Sequence, residues 1–274
     1  GDVFLEIFWQ AAKEVEAETP PRRTQQKHER LKAGDIVETN SGNAEITEYI
    51  NANKVRLRFI STGFEAIATA EAIRAGRVKD RFLETASGGF IGNTTSHLSG
   101  KIKPSYTNWK NLFRRTQQRD NYKGVTISPE FYNFELFEQW YDKQSSRFPN
   151  QNNLAVDSDI IPFIQGGAKT YGKETCFLIP HAINTAFTKT VESLNSIVSG
   201  KHKGIVSLPG EKYQVVTGND RSIFDDRYSA VAYAIEIRIA NFMAKFRSEV
   251  EPFLIGDVLE KVSSLEKILR DKFL

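Results

Sequence analysis

Sulfur, histidine and net charge are all scarce in this chain. It has a single cysteine, Cys176, so no intrachain disulfide can form, and one sulfur cannot build a thiolate zinc site. Histidine occurs only at His28, His97, His181 and His202, which restricts imidazole chemistry to four positions. No apolar run approaches the ~20 residues that a membrane helix needs, so no membrane partner is expected. The opening stretch, Gly1 to Gln10, sets Asp2 and Glu6 inside its apolar run without a basic segment ahead of it. That is unlike a secretory signal, and an intracellular chain is expected. Ser87-Gly88-Gly89 is glycine-rich, but no Gly-Lys-Ser/Thr follows, which excludes a Walker-type phosphate loop. The formal net charge is only +3, too small to argue for a polyanionic partner by itself.

The distribution of charge says more than its sum. Basic residues gather at Arg22, Arg23, Lys27, Arg30 and Lys32, and again at Lys101, Lys103, Lys110, Arg114, Arg115, Arg119 and Lys123. Residues 1–33 read as an amphipathic helix, with Val3, Ile7, Phe8, Ala11 and Val15 on one face, ended by Pro20-Pro21 and followed by a basic linker. Residues 34–82 alternate with a period of two between Asn/Gly turns, which predicts a small β-rich domain of about four or five strands. Lys54, Arg56 and Arg58 share one strand face, which is either the wet side of a sheet or a surface for phosphates. Residues 83–105 read as a flexible linker.

From residue 106 the chain is aromatic-rich. Tyr106, Trp109, Leu112 and Phe113 have helical spacing, as do Phe131, Phe134, Phe137, Trp140 and Tyr141. A short strand is expected near Val125-Thr126-Ile127, and a helix from about His181 to Val191. Residues 201–274 predict a hairpin, a long helix from Arg227 to Val250, and a last helix, Gly256 to Leu274. That last helix carries Val258, Leu259, Val262, Leu265, Ile268 and Leu269 at near-heptad spacing. Such a stripe either docks on its own domain or offers a homodimer surface through 256–274. The expected fold class is α+β in about three small modules, with boundaries at 33, 82, 105 and 200.

Three separated pieces of the centre carry a resemblance. They are Tyr106-Thr107-Asn108-Trp109 with Arg114-Arg115, then Tyr122-Lys123-Gly124-Val125, then Phe134-Glu135-Leu136-Phe137-Glu138-Gln139-Trp140. Downstream stand Val156-Asp157-Ser158-Asp159-Ile160-Ile161, Tyr171-Gly172-Lys173-Glu174-Thr175-Cys176 and Ile183-Asn184. Together, over roughly 106–187, these resemble phage proteins related to HNH homing endonucleases. Residues 34–80 are similar to the small β-domain often found ahead of that module. Residues 203–250 look like a worn Apetala-type domain, a three-stranded sheet with one helix, whose sheet reads DNA in that family. The resemblance implies a DNA partner, double-stranded rather than single-stranded, and a chain that works in a host cytoplasm, with a host or phage protein as a further partner.

An HNH site needs a histidine base and a metal held by His, Asp or Asn. Here Ser158 stands in the general-base position, and serine is a poor base near neutral pH. Asp157 and His181 remain as weak catalytic candidates, and Asp157, Asp159, His181 and Asn184 as weak metal ligands. The expected activity is therefore DNA binding without cleavage and without a cofactor, magnesium or another divalent metal entering only if the chain is a nuclease. The expected contact residues are Trp109, Lys110, Arg114, Arg115, Arg119, Tyr122 and Lys123. Two other readings stay open: a metal-dependent endonuclease with an altered site, and a protein-interaction or virion protein on a retained fold.

Overall fold

The computed structural model describes residues 30–201, 204–218 and 220–274. The expected N-terminal helix, its Pro20-Pro21 stop and the Arg22, Arg23 and Lys27 cluster lie outside these residues, as do His28 and His202. The fold is α+β, and the chain divides into two compact units between Asp80 and Arg81.

The first unit is a four-stranded antiparallel sheet in the order β1 (Ile36–Thr39), β2 (Gly42–Asn51), β3 (Lys54–Phe59) and β4 (Glu65–Ala68), followed by a short helix α1 (Ala70–Arg74). Its alternation is complete on β3: Val55, Leu57 and Phe59 are buried while Lys54, Arg56 and Arg58 are exposed. Ala44, Ile46 and Ile73 close the same core. Residues that alternate in sequence point to opposite faces of a strand, which is why this unit is so readable. On the exposed face Arg56 pairs with Glu48 at 3.1 Å and Arg58 with Glu45 at 3.2 Å across the β2–β3 ladder. The cationic row is thus largely answered by its own neighbouring strand.

The second unit opens with the segment expected as a linker, and this segment is instead packed down. A Cβ at Gly89 would lie 2.5 Å from the Tyr132 carbonyl oxygen and 2.7 Å from the Trp109 ring, and Gly89 has φ +68. Only glycine allows both that backbone and that approach. A two-residue turn, Ser99-Gly100, then joins β5 (His97–Leu98) to β6 (Lys101–Ile102). Helix α2 (Pro104–Gln118) follows and buries Trp109, Leu112 and Phe113. β7 (Thr126–Ile127) is as short as the sequence suggests. Helix α3 (Phe134–Ser145) is capped by the Asn133 side chain and packs Phe134, Phe137 and Tyr141 against α2.

Strand β8 (Leu154–Asp157) ends at Asp157, just ahead of an apolar run. A five-residue apolar run cannot be told from a helical segment by periodicity alone, and Ile160–Gln165 forms a helix, α4. Asp157 marks the stop: its Oδ1 accepts from the backbone N–H of Ile160 at 2.9 Å and of Asp159 at 3.2 Å, which satisfies amides at the start of the new helix. β9 (Thr170–Tyr171) pairs in parallel with β7, and β10 (Phe177–Pro180) pairs antiparallel with β8. β10 runs directly into helix α5 (His181–Val198), which is longer than expected.

Three strands, β11 (Ile205–Leu208), β12 (Lys212–Thr217) and β13 (Asp220–Phe224), form one antiparallel sheet, one strand more than the expected hairpin. Helix α6 (Arg227–Glu249) packs on it. The last expected helix is two, α7 (Gly256–Val262) and α8 (Leu265–Phe273), broken at Ser263-Ser264. Val262, Leu265 and Leu269 are buried against the α6 core with Val258 packed beside them, so much of the stripe docks on its own unit, the first of its two readings. Nor does residue 200 separate two cores: Ile160, Phe177, Ile183 and Phe187 share one with Ala234, Phe242 and Phe246. The Phe187 and Phe242 rings meet at 5.6 Å. Among the described residues no helix is long and apolar enough to cross a membrane.

Candidate nucleic-acid interface

Helix α2 separates the expected contact residues into two groups by its own periodicity. Ser105, Trp109, Leu112 and Phe113 recur at three- and four-residue steps and turn inward. Trp109 is fully buried; its indole N–H donates to the Phe131 carbonyl at 2.7 Å, and its ring packs on Phe113 and Phe134. It cannot present a ring to a ligand, which corrects its assignment as a contact residue. Buried indoles find a hydrogen-bond partner in this way.

The opposite face carries Thr107, Lys110, Arg114 and Gln117, all exposed. Lys110 and Arg114, one helical turn apart, line a groove of about 420 Å³ together with Tyr106, Asn111 and Ile102. The Lys110 ammonium lies 5.7 Å from the centroid of the Tyr106 ring. Arg119 and Lys123, just beyond the helix, are exposed as well. None of these four cations has a carboxylate partner among the described residues. Lys103, by contrast, is held by Glu138 at 2.8 Å with both side chains mostly buried.

Arg115 has a different task. It is half-buried, its guanidinium lies 6.0 Å from the Tyr122 ring, and it faces the Tyr171 hydroxyl. Tyr122 is itself partly buried against the Trp109 cluster. Arg115 therefore reaches from α2 toward β9, while both it and Tyr122 remain partly exposed. Burial pushes the Tyr171 hydroxyl up to about 12, against the opposing pull of Arg115 and Ser158.

The expected catalytic and metal-binding candidates do not converge. Asp157 is fully buried at the end of β8, and its Oδ2 has no hydrogen-bond partner. Burial, then the charge of Asp159, pushes its carboxyl up to about 7, only partly offset by the Ile160 and Asp159 amides and by Lys169. Asp159 sits at the start of α4 and pairs with Lys169. His181 is exposed at the first position of α5, and Asn184, one turn on, is half-buried with an unpartnered Oδ1. Among the described residues no group of three His, Cys, Asp or Glu side chains is placed to hold an ion.

Sequence reasoning missed Lys169, the counter-charge of Asp159, and the polar contacts that Tyr171 makes with Arg115 and Ser158. No local pattern marks them, because each pair is joined only when β9 lies beside β7 and the β8–α4 turn. Cys176 is fully buried, and burial pushes its thiol up to about 12. Compared with known proteins, the chain matches no family model, no curated protein and no solved structure.

Proposed function

We propose that the chain is a phage-type, HNH-related protein that binds DNA through the outward face of α2 and the residues just after it, without cleaving it. The observation that carries this reading is the set Lys110, Arg114, Arg119 and Lys123. All four are exposed and none is answered by a carboxylate among the described residues; Lys110 and Arg114 line the groove on the helix face, and Arg119 and Lys123 follow in the chain just after it. Cations left unpaired on a protein surface supply the sequence-independent part of nucleic-acid affinity by releasing counterions from phosphates. The order of the central motifs and the three-stranded sheet with its single long helix support the same reading.

The test is fluorescence anisotropy with a labelled duplex at two salt concentrations. Four phosphate contacts give a slope of about −3.6 in log K against log salt, so affinity falls roughly a hundredfold between 50 and 200 mM. Lys110→Gln with Arg114→Gln should make the slope shallower by about two and weaken binding to all sequences alike. Arg115 is left in place because its loss would disturb the contact with Tyr171. Affinity and slope unchanged in the double variant would overturn the placement of the surface. Salt-insensitive or absent binding would favour a protein-interaction role, and nicking of supercoiled plasmid with Mg²⁺ or Mn²⁺ would favour an altered nuclease.

A further inference from the structure

A second cleft, of about 320 Å³, lies in the second unit between α3 and the chain that leads into α7. Its volume is at the lower end of the roughly 300–1,000 Å³ that small-molecule sites occupy. Its apolar lining combines Trp140, Phe148 and Phe253 with Leu254, Ile255 and Val258. Trp140 is partly exposed and rests on Phe131 and Phe137, with centroids at 5.0 and 5.4 Å, while Phe148 packs on Phe253 at 5.1 Å. Its polar lining is mostly cationic. Lys143 in the last turn of α3 and Arg147 just beyond it line the cleft with Lys173 from the β9–β10 connection. None of the three has a carboxylate partner among the described residues. Of the two carboxylates in the lining, Glu174 is held by Lys261 at 3.2 Å, and Asp257 stands at the start of α7.

We propose that this cleft binds a nucleoside 5′-phosphate unit, with the base against Trp140 and the phosphate held by Lys143, Arg147 and Lys173. A purely apolar ligand would leave three ammonium and guanidinium groups unanswered. A bare anion would leave the tryptophan face unused. A planar ring bearing a phosphate satisfies both, because aromatic side chains stack on any base and neighbouring cations follow the phosphate. The unit is either a free mononucleotide or one residue of a single strand. The argument uses no residue of the α2 face.

Isothermal titration with 5′-AMP, adenosine, inorganic phosphate and the tetranucleotide (dA)₄ tests it on the full chain. The proposal expects 5′-AMP to bind, with adenosine and phosphate each weaker by about tenfold or more. Tryptophan fluorescence should be quenched in the wild type and not in Trp140→Phe. Lys143→Glu with Lys173→Glu changes two exposed side chains and should weaken 5′-AMP by about tenfold or more. Lys110→Gln with Arg114→Gln should leave 5′-AMP binding intact, so that failure here and failure of the α2 surface are told apart. Tighter binding of (dA)₄ than of 5′-AMP assigns the site to a strand, and equal binding assigns it to a free nucleotide. No heat from either ligand up to about 10 mM, or equal affinity in the lysine double variant, overturns the proposal. Phosphate binding as tightly as 5′-AMP overturns the role of the ring.

Discussion

The substitution Asp157→Asn should change how the stability of the second unit depends on pH. The Asp157 carboxyl titrates at 3.8 when free and at about 7 in the folded chain. A raised carboxyl pKa means that the native state holds the proton more tightly than the unfolded state does. Stability is therefore fully present below 3.8 and is lost as pH rises from about 4 to about 7. At 1.36 kcal/mol per unit, the loss is on the order of 4 kcal/mol by pH 8, of which roughly 2–3 kcal/mol falls between pH 5 and pH 8. The asparagine side chain would keep an oxygen to accept from the Ile160 and Asp159 amides, so these two bonds survive. Its new amide group introduces a constant offset, since buried donors also need partners. The informative quantity is thus the pH slope of the difference between variant and wild type, not its value at one pH. Paired urea titrations at pH 5, 6, 7 and 8 measure it, with melting temperatures as a second readout. The variant should gain roughly 2–3 kcal/mol on the wild type over that range, equivalent to roughly 5–10 °C for a unit of this size. Stability curves that run parallel from pH 5 to pH 8 would refute the reasoning, because they would mean that Asp157 is ionised in the folded chain or is reached by water.

Three further outcomes follow from the core of the same unit. Trp109→Phe leaves the Phe131 carbonyl without its donor and should cost at least about 1–3 kcal/mol in chemical denaturation, while DNA affinity of the folded variant stays unchanged. Gly89→Ala should destabilise far more than Gly210→Ala: both have positive φ, but a methyl at Gly89 meets backbone and ring atoms, and one at Gly210 meets open space. The open position should cost about 1–2 kcal/mol and the closed one at least twice that, measured in the same titrations. Cys176 should resist a thiol reagent at pH 8 in the native protein and react on unfolding, so that its labelling rate follows the denaturation curve.

The first unit is nearly transparent to sequence reasoning because its strands are half-buried and alternate, as Val55, Leu57 and Phe59 do on β3. The second unit is legible where an amphipathic stripe runs long, as in α2 and α6, and opaque where the apolar run is short. The apolar run from Ile160 to Ile164 does not by itself distinguish a strand from a helix, and the bond from the Ile160 amide to the Asp157 carboxyl is visible only in the fold. The glycines before α2 suggest a loose spacer, since composition does not reveal that Tyr132 and Trp109 press against them. On the functional side, charge on α2 is visible, but its fate is not. Whether Lys103 meets Glu138, or Arg56 meets Glu48, depends on partners supplied by other elements. Trp109 can be sorted correctly from sequence, because Ser105, Trp109, Leu112 and Phe113 already trace one helical face.

The hydrophobic interior shared by residues on both sides of position 200 has a practical meaning for anyone who would dissect this molecule. A fragment ending there keeps Ile160, Phe177, Ile183 and Phe187 but loses Ala234, Phe242 and Phe246, the surfaces that cover them. Neither half should then survive as an independent piece in the test tube. Any change in the chemistry of one half is inherited together with the scaffold of the other, and the natural place to cut is between Asp80 and Arg81.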